Sequence, residues 1–400
     1  MLKVAVVQRF CAPYRIPVFR ALASRPGIDL TLFYGRGANG GQWQQASVDT
    51  GVSSVRLFTL SARFGLDERH YLLAVHPGLL RRLAGGAFDV VLAEGTTNIL
   101  DNVGLVAWCR LSGTPLVFWD SGRPPSEPKR LGRRIIDPLA RCLLRRADAV
   151  VTYGRSTVLY FERIGLEPGA VFVAPNTVDL RPLEVEHDAW EGRKEELTAL
   201  KQGLNLEGRR VLLHIGSLQK GKPLDSLMDA YEELSTVSGA LGMIVIGDGD
   251  DRTRLEKVVG DRALEGVRFL GRQISGLAKY ALISDVAVFP HGATLGIITT
   301  LALGLPVVAA CGRSPEHEAI VEGVNGSLAA LGDTADLART LGDILSGRVR
   351  FASSQQIRAM VHRDFSLHRM VDGLESALRY AVATKATSVP SMDKQMRGPK

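Results

Sequence analysis

Phe289–Ala310 reads FPHGATLGIITTLALGLPVVAA. An apolar strand ends at Phe289 and a turn of small and polar residues follows. A helix of small and apolar residues then stops at Gly304, and a second apolar strand opens at Pro306. Strand, helix and strand in so short a run fit a parallel pair joined by a crossover helix. The same alternation continues on both sides. Arg210–Ile215, Gly242–Ile246, Val267–Leu270, Val286–Phe289 and Pro306–Ala309 read as short buried strands, with helical stretches at Leu224–Leu234, Arg252–Val259 and Thr299–Leu303. Further upstream, Lys3–Gln8, Asp29–Tyr34, Phe88–Ala93, Pro115–Trp119 and Ala149–Tyr153 repeat the pattern. Near-continuous apolar strands separated by helices are parallel strands covered on both faces. The fold class is therefore α/β, with two doubly wound halves.

The halves meet at the Pro-bearing stretch Ala174–Pro182, followed by a charged helical segment Asp188–Gln202. Residues 1–180 form one expected domain and 181–365 the other. Ser366–Thr384 reads as a closing helix (366–384) that crosses back to the first domain, and 385–400 as a disordered basic tail. Arg313–Leu328 reads as a helix closed by the turn Val324-Asn325-Gly326. Ligands of open α/β sheets sit beyond the C-terminal ends of the strands, so two such halves facing across a cleft suggest a two-substrate enzyme.

Composition narrows the class. The 400 residues are 46% hydrophobic and 23% charged, which excludes a disordered chain. No apolar run approaches the roughly 18–20 residues of a membrane span. Cys11, Cys109, Cys142 and Cys311 are scattered without a CxxC pair, which excludes a zinc ribbon or disulfide scaffold and suits a reducing, cytoplasmic setting. The opening MLKVAVVQRF lacks the pattern of a signal peptide. The net charge of +7 lies wholly in the first half, much of it between Arg123 and Arg146. That stretch is a solvated helix face or a surface for anionic lipid headgroups or an acidic acceptor. It has no interleaved aromatics, so no nucleic acid is expected.

Four constellations carry possible chemistry. His214–Ala230 (HIGSLQKGKPLDSLMDA) runs from strand through Gly216 into a helix, holding Lys220 and Lys222 near the helix start, where a phosphate is well placed. It is not a Walker loop. Val245–Leu255 (VIGDGDDRTRL) offers Asp248 and Asp250 as a D-x-D pair, or as acids complementing the next helix, with Gly247 and Gly249 as half a dinucleotide fingerprint. The His291–Gly296 loop exposes backbone N–H groups that suit a diphosphate without a metal. Glu316 and Glu318, near the start of the Arg313–Leu328 segment, read mainly as helix caps.

Together the ordered pieces GSLQKGKPLDSL, GDGDDRTRLE, VRFLGR, SDVAVFP, ALGLPVVAA and EGVNGSL resemble a retaining, GT-B-fold glycosyltransferase of the group 1 (GT4) family. Ala12–Phe19 (APYRIPVF) is similar to the opening loop of its envelope-polysaccharide branch, and Ala147–Asp179 to its inter-domain approach. The resemblance implies two Rossmann-like domains, a nucleotide-sugar donor on the C-terminal one, and a glycan, lipid-linked or small-molecule acceptor on the N-terminal one. It places Lys222 at the diphosphate, Gly216 and Ser217 in the turn before it, and Thr294, Leu295 and Gly296 at the phosphate-facing helix start. Arg272 and Gln273 fall where the base is read, Thr299 at the ribose and His291 at the sugar. Ser217 stands where the family has arginine, and its paired glutamates are replaced by His291 and Thr299. This marks a divergent branch.

Such a transfer needs no protein nucleophile, because the departing diphosphate takes the acceptor proton. Catalysis is then positioning and charge stabilisation by Lys222 and the helix amides, with no cofactor and no metal expected. Asp120 and Glu94, just past two N-terminal strand ends, are candidates to orient an acceptor hydroxyl. The alternatives are a non-catalytic nucleotide-sugar-binding partner of another transferase, or a GT-B nucleotide-sugar epimerase. The basic first half suits an enzyme peripheral on the inner face of an anionic membrane.

Overall fold

The computed structural model describes residues 1–35, 49–64, 71–95, 98–122, 133–220, 224–238, 240–290, 295–311 and 315–388. The chain divides into two compact units, Met1–Ala174 with the chain from His368 onward, and Pro175–Leu367.

Unit 1 is built on strands β1 (Leu2–Gln8), β2 (Ile28–Tyr34), β3 (Ser53–Arg56), β6 (Val90–Glu94), β7 (Leu116–Trp119), β8 (Ala149–Thr152) and β9 (Val171–Val173). They form one sheet in the order β3-β2-β1-β6-β7-β8-β9, every pair parallel. A separate antiparallel hairpin joins β4 (Leu60–Phe64) to β5 (Tyr71–Val75). Val4–Val7, Val90–Ala93, Leu116–Trp119 and Ala149–Val151 are all buried, as expected for strands with helices on both faces. The order reverses direction between β1 and β6, and such a switch point opens a crevice at the C-terminal strand ends.

The closing helix Leu367–Ser388 packs on this unit. Gly373 lies so close to the chain at Val173–Ala174 that any side chain there would collide with the Val173 carbonyl. Tyr380 meets Phe172 with ring centroids 5.3 Å apart, and Arg25 bonds Asp372 at 2.5 Å. The helix extends through Lys385, whose Nζ lies 3.3 Å from Asp148. That ion pair carries the helix four residues into the stretch expected to be a tail; residues 389–400 lie outside the described residues.

Unit 2 holds β10 (Arg210–Ile215), β11 (Leu241–Ile246), β12 (Val267–Gly271), β13 (Val286–Phe289), β14 (Val307–Cys311) and β15 (Gly326–Ala330). Their order is β12-β11-β10-β13-β14-β15, again all parallel, with the switch point between β10 and β13. Two apolar clusters cover the two faces. One gathers Ile297, Ile298 and Leu301 against Leu213 and Ala287, the other Leu227, Met228 and Tyr231 against Leu212 and Met243. Each such buried aliphatic side chain contributes on the order of 1.5–3 kcal/mol.

Two expectations are corrected here. The segment Arg313–Leu328 is not a helix: its described part holds only a short 3-10 turn, Pro315–Ala319, and then enters β15 at Gly326. Buried Asn325 explains the change. It accepts from Val321 N at 2.7 Å and donates to Ala319 O at 2.9 Å, holding the backbone in a tight loop. The charged segment Asp188–Gln202 is not one helix but parts of two, Arg181–Glu191 and Lys194–Gly203, interrupted at Gly192–Arg193. Among the described residues, no helix is long and apolar enough to cross a membrane.

Candidate functional site

In unit 2, parallel strands send every strand-to-helix loop to one end of the sheet. The loop after β10 is held by the loop after β11. Gly216 N donates to Ile246 O at 2.9 Å, Leu218 N to Asp248 O at 3.1 Å, and Asp251 N back to Leu218 O at 3.0 Å. Gly247 and Gly249 adopt φ of 151° and 156°. A Cβ on Gly247 would collide with the Gly216 carbonyl, and one on Gly249 with the Leu218 carbonyl. These glycines therefore serve a backbone clasp rather than a dinucleotide fingerprint. Asp248 and Asp250 are exposed, and Asp248 Oδ1 accepts from Gly249 N at 2.9 Å. Among the described residues, the one cluster of three possible metal ligands is elsewhere, at His187, Asp188 and Glu191. Arg358 already occupies that cluster, with Nη1 2.7 Å from His187 Nδ1 and Nη2 2.9 Å from Asp188.

Arg254 ties the clasp to the next helix. It donates to both oxygens of Asp251 at 2.7 Å each and to both of Asp225 at 2.6 and 2.9 Å. Asp225 opens the helix Asp225–Ser238, which follows the segment carrying Lys222. The Arg254 guanidinium holds the Asp225 carboxyl below its ordinary range. Lys222 itself lies outside the described residues, as do His291 and Thr294. Lys220 is described and exposed.

The structure brings Gly216, Ser217, Leu295, Gly296 and Thr299 to the same lip. Gly216 and Ser217 follow β10, and the helix Leu295–Ala302 follows β13, its immediate neighbour. Leu295 and Gly296 are half-buried at the first turn. The Thr299 hydroxyl donates to Leu295 O at 3.0 Å, so it can meet a ligand hydroxyl only through its lone pairs. Beneath Gly216, buried His214 points Nδ1 at Val288 O, 2.8 Å away. Arg272 and Gln273 follow β12, one strand beyond β11. Arg272 is exposed, and Gln273 closes its own turn by donating to Leu270 O at 2.9 Å.

In unit 1, Glu94 ends β6 and Asp120 follows the adjacent β7, with Glu94 in register with Trp119. Glu94 Oε2 accepts from Arg9 N at 3.1 Å. Asp120 is buried, and its Oδ1 accepts from Gly122 N at 2.9 Å. Gly95 lies directly on the Asp120 carboxylate, leaving no room for a Cβ. Thus Asp120 serves the turn, while Glu94 is half-buried at the mouth of the switch point.

Two arrangements were missed by the sequence reading. The Arg15 guanidinium stacks 4.2 Å over Trp119 and hydrogen-bonds the Tyr153 hydroxyl. Burial pushes the Tyr153 phenol up to about 12, although Arg15 pulls the other way. His76, fully enclosed, bonds Asp101 through Nδ1, and its backbone N donates to Asp101 Oδ1 at 2.9 Å. The tyrosine lies 138 residues from Arg15 and the aspartate 25 from His76, so no local motif signals either pair.

Two family models match this chain, one described as glycosyl transferases group 1 over residues 209–347 and one as a glycosyl transferase 4-like domain over residues 16–177. Together they cover about three quarters of it. A curated 2-deoxystreptamine glucosyltransferase of Streptomyces kanamyceticus is 28% identical over 231 residues, 56% of this chain and 58% of that protein. An N-acetyl-alpha-D-glucosaminyl L-malate synthase of Bacillus anthracis is 25% identical over 190 residues, 46% of this chain and 49% of that one. The chain thus spans about half the length of the curated relatives it matches. Among solved structures, HepE of Anabaena, crystallised with UDP, superposes with a TM-score of 0.70 at 17% identity, covering 95% of this chain and all of that one. The likeness establishes the fold, two Rossmann-like domains of the GT-B kind.

Proposed function

Because the chain belongs with the glycosyltransferases of the GT-B fold, we propose that it transfers a sugar from a nucleotide-sugar donor to an acceptor hydroxyl. The observation that carries this reading is the β10–β13 switch point of unit 2. There the clasped Gly216-Ser217 turn and the helix opening at Leu295 share one end of neighbouring strands. A diphosphate fits such a place, since backbone N–H groups and a helix N-terminus both favour negative charge.

In this proposal Lys222, with the amides of Thr294, Leu295 and Gly296, neutralises the departing diphosphate. Arg272 and Gln273 border the base, Thr299 the ribose and His291 the transferred sugar. The diphosphate accepts the acceptor proton as the sugar–phosphate bond breaks, on the face where the new bond forms, so the anomeric configuration is retained. The lysine and the helix tip supply the charge a metal would otherwise supply, and the reaction requires neither metal nor cofactor. In unit 1, Glu94 is better placed than Asp120 to orient an acceptor hydroxyl, because the Asp120 carboxylate is buried and bonded to the turn at Gly122. The acceptor is a glycan, a lipid-linked sugar or a small molecule. The basic stretch between Arg123 and Arg146 would hold the enzyme at an anionic membrane surface.

Product analysis tests the reading. A nucleotide-sugar panel should yield a product whose anomeric proton coupling matches that of the donor, with and without EDTA. An inverted product, or transfer lost with EDTA, would contradict it.

A further inference from the structure

In unit 2, β10 keeps its two neighbours for different lengths. It stays in register with β11 to its last residue, Ile215 opposite Ile246. Its pairing with β13 stops earlier, at Leu213 with Ala287. The next pair in order would be His214 with Val288. Where a parallel ladder ends inside a protein, its carbonyls need other donors.

The His214 side chain supplies one. Its Nδ1 lies 2.8 Å from Val288 O. A carbonyl oxygen can only accept, so Nδ1 carries the hydrogen and donates. The imidazole thus continues the β10–β13 connection one residue past the last ladder pair. His214 is fully buried. An aliphatic side chain would fill such a strand position at lower cost, since a buried imidazole is costly unless its hydrogen bonds are made.

The ring also meets both walls of the candidate site. It lies beneath the turn after β10: a Cβ on Gly216 would stand 3.0 Å from Nε2 and 3.5 Å from Cε1. Gly216 N is bonded to Ile246 O, so the turn is held between β11 and the imidazole. Toward β13 the ring faces Phe289, with centroids 5.7 Å apart and planes at 53°. Phe289 belongs to the apolar cluster that contains Ile297 and Ile298 of the helix opening at Leu295. One side chain therefore stands between the turn and the base of that helix.

We propose that His214 is a positioning residue of the donor site: its imidazole sets the gap between the Gly216-Ser217 turn and the helix opening at Leu295, and so the fit of a diphosphate between them. Being buried, it touches no ligand and acts through the turn. The inference rests on the glycosyltransferase reading and adds a residue to its donor site. A diphosphate that bridges the two walls feels their spacing, and a nucleoside without phosphates does not.

The experiment is calorimetric titration of the full chain with UDP, GDP and dTDP and with the matching nucleosides. Wild type, His214→Leu and His214→Asn are compared at a temperature where circular dichroism shows each to be folded. His214→Leu keeps apolar bulk and removes the donor. His214→Asn places an amide N–H close to the Nδ1 position and leaves the rest of the ring's space empty. His214→Leu should bind the preferred diphosphate about tenfold more weakly, and its nucleoside as wild type does. His214→Asn should recover diphosphate affinity to within about threefold of wild type, although its cavity keeps Tm lower. Should His214→Leu not fold, His214→Gln, whose amide reaches the Nε2 position instead, replaces it with the same expected loss. A merely structural role would make affinity follow Tm in every variant. That result, wild-type diphosphate affinity in His214→Leu, an equal loss for nucleoside and diphosphate, or no recovery in His214→Asn would overturn the proposal. If wild type binds a nucleotide and one of these is found, the transferase reading stands and only the role of His214 falls. If wild type binds no nucleotide, the transferase reading fails and takes this inference with it.

Discussion

Arg254 grips Asp225 with two hydrogen bonds of 2.6 and 2.9 Å while its other edge holds Asp251 with two of 2.7 Å. One guanidinium therefore couples the loop after β11 to the first turn of the helix that follows the Lys222 segment. The group is partly exposed, so its worth lies in positioning more than in stability, about 1 kcal/mol after screening. Arg254→Gln should raise the donor KM severalfold with little change in kcat, and Arg254→Lys should recover only part of it because one ammonium cannot bridge both carboxylates. Steady-state kinetics on the two variants check this. An unchanged KM in Arg254→Gln would show that the bridge does not serve the donor.

The same pair has a pH consequence. Asp225 is held below its ordinary value by the Arg254 hydrogen bond, so its contribution is full above the unfolded value near 4 and is lost as pH falls through the lower folded value. Wild type should exceed Arg254→Gln in stability by a constant margin above about pH 4, and the two curves should converge as pH falls below it. Acid titration followed by circular dichroism reads the difference.

Gly249 is the tightest test of the clasp. Gly249→Ala forces a methyl group onto the Leu218 carbonyl at a φ that L residues rarely adopt. The expected cost is about 2 kcal/mol or more. Nucleotide affinity should fall with it, because the same carbonyl receives Asp251 N. Thermal melts with and without nucleotide measure both. Full stability in this variant would mean the two loops do not clasp as described.

The cysteines should react in two classes. Burial pushes the Cys11 thiol up to about 11 and the Cys109 thiol up to about 12, whereas Cys142 and Cys311 are exposed. A thiol-reactive dye at pH 8 should therefore label two cysteines quickly and the other two only after denaturation. Mass spectrometry of the labelled protein identifies them, and rapid labelling of Cys109 would contradict its place on the buried face of the helix Ile99–Ser112.

Much of the fold was legible because buried parallel strands are written as continuous apolar runs. VVA after Pro306 and VAVF after Asp285 needed only their flanking turns to be read. The strands that escaped lack such a signal. Ser53–Arg56 is largely exposed, Val171–Val173 has three residues, and Gly326–Ala330 is made of small residues whose pairing with β14 decides the matter. The site divides similarly. Gly216, Ser217, Leu295 and Gly296 were readable because a strand–turn–helix is local. Arg15 with Tyr153, and His76 with Asp101, become neighbours only once the unit 1 strands are ordered. Thr299 was readable by position, yet its bond to Leu295 O is a property of the helix and not of the motif.

The central claim is that unit 2 holds the diphosphate of a nucleotide-sugar donor through Lys222 and the helix opening at Leu295, without a divalent ion. Calorimetric titration with UDP, GDP and dTDP in EDTA, on wild type and Lys222→Ala, tests it most directly. The account predicts that at least one nucleotide binds wild type in EDTA, that Lys222→Ala weakens that binding, and that transfer with the matching donor falls by roughly 10²-fold. Binding that needs a metal, or a Lys222→Ala enzyme with wild-type affinity and rate, would contradict it.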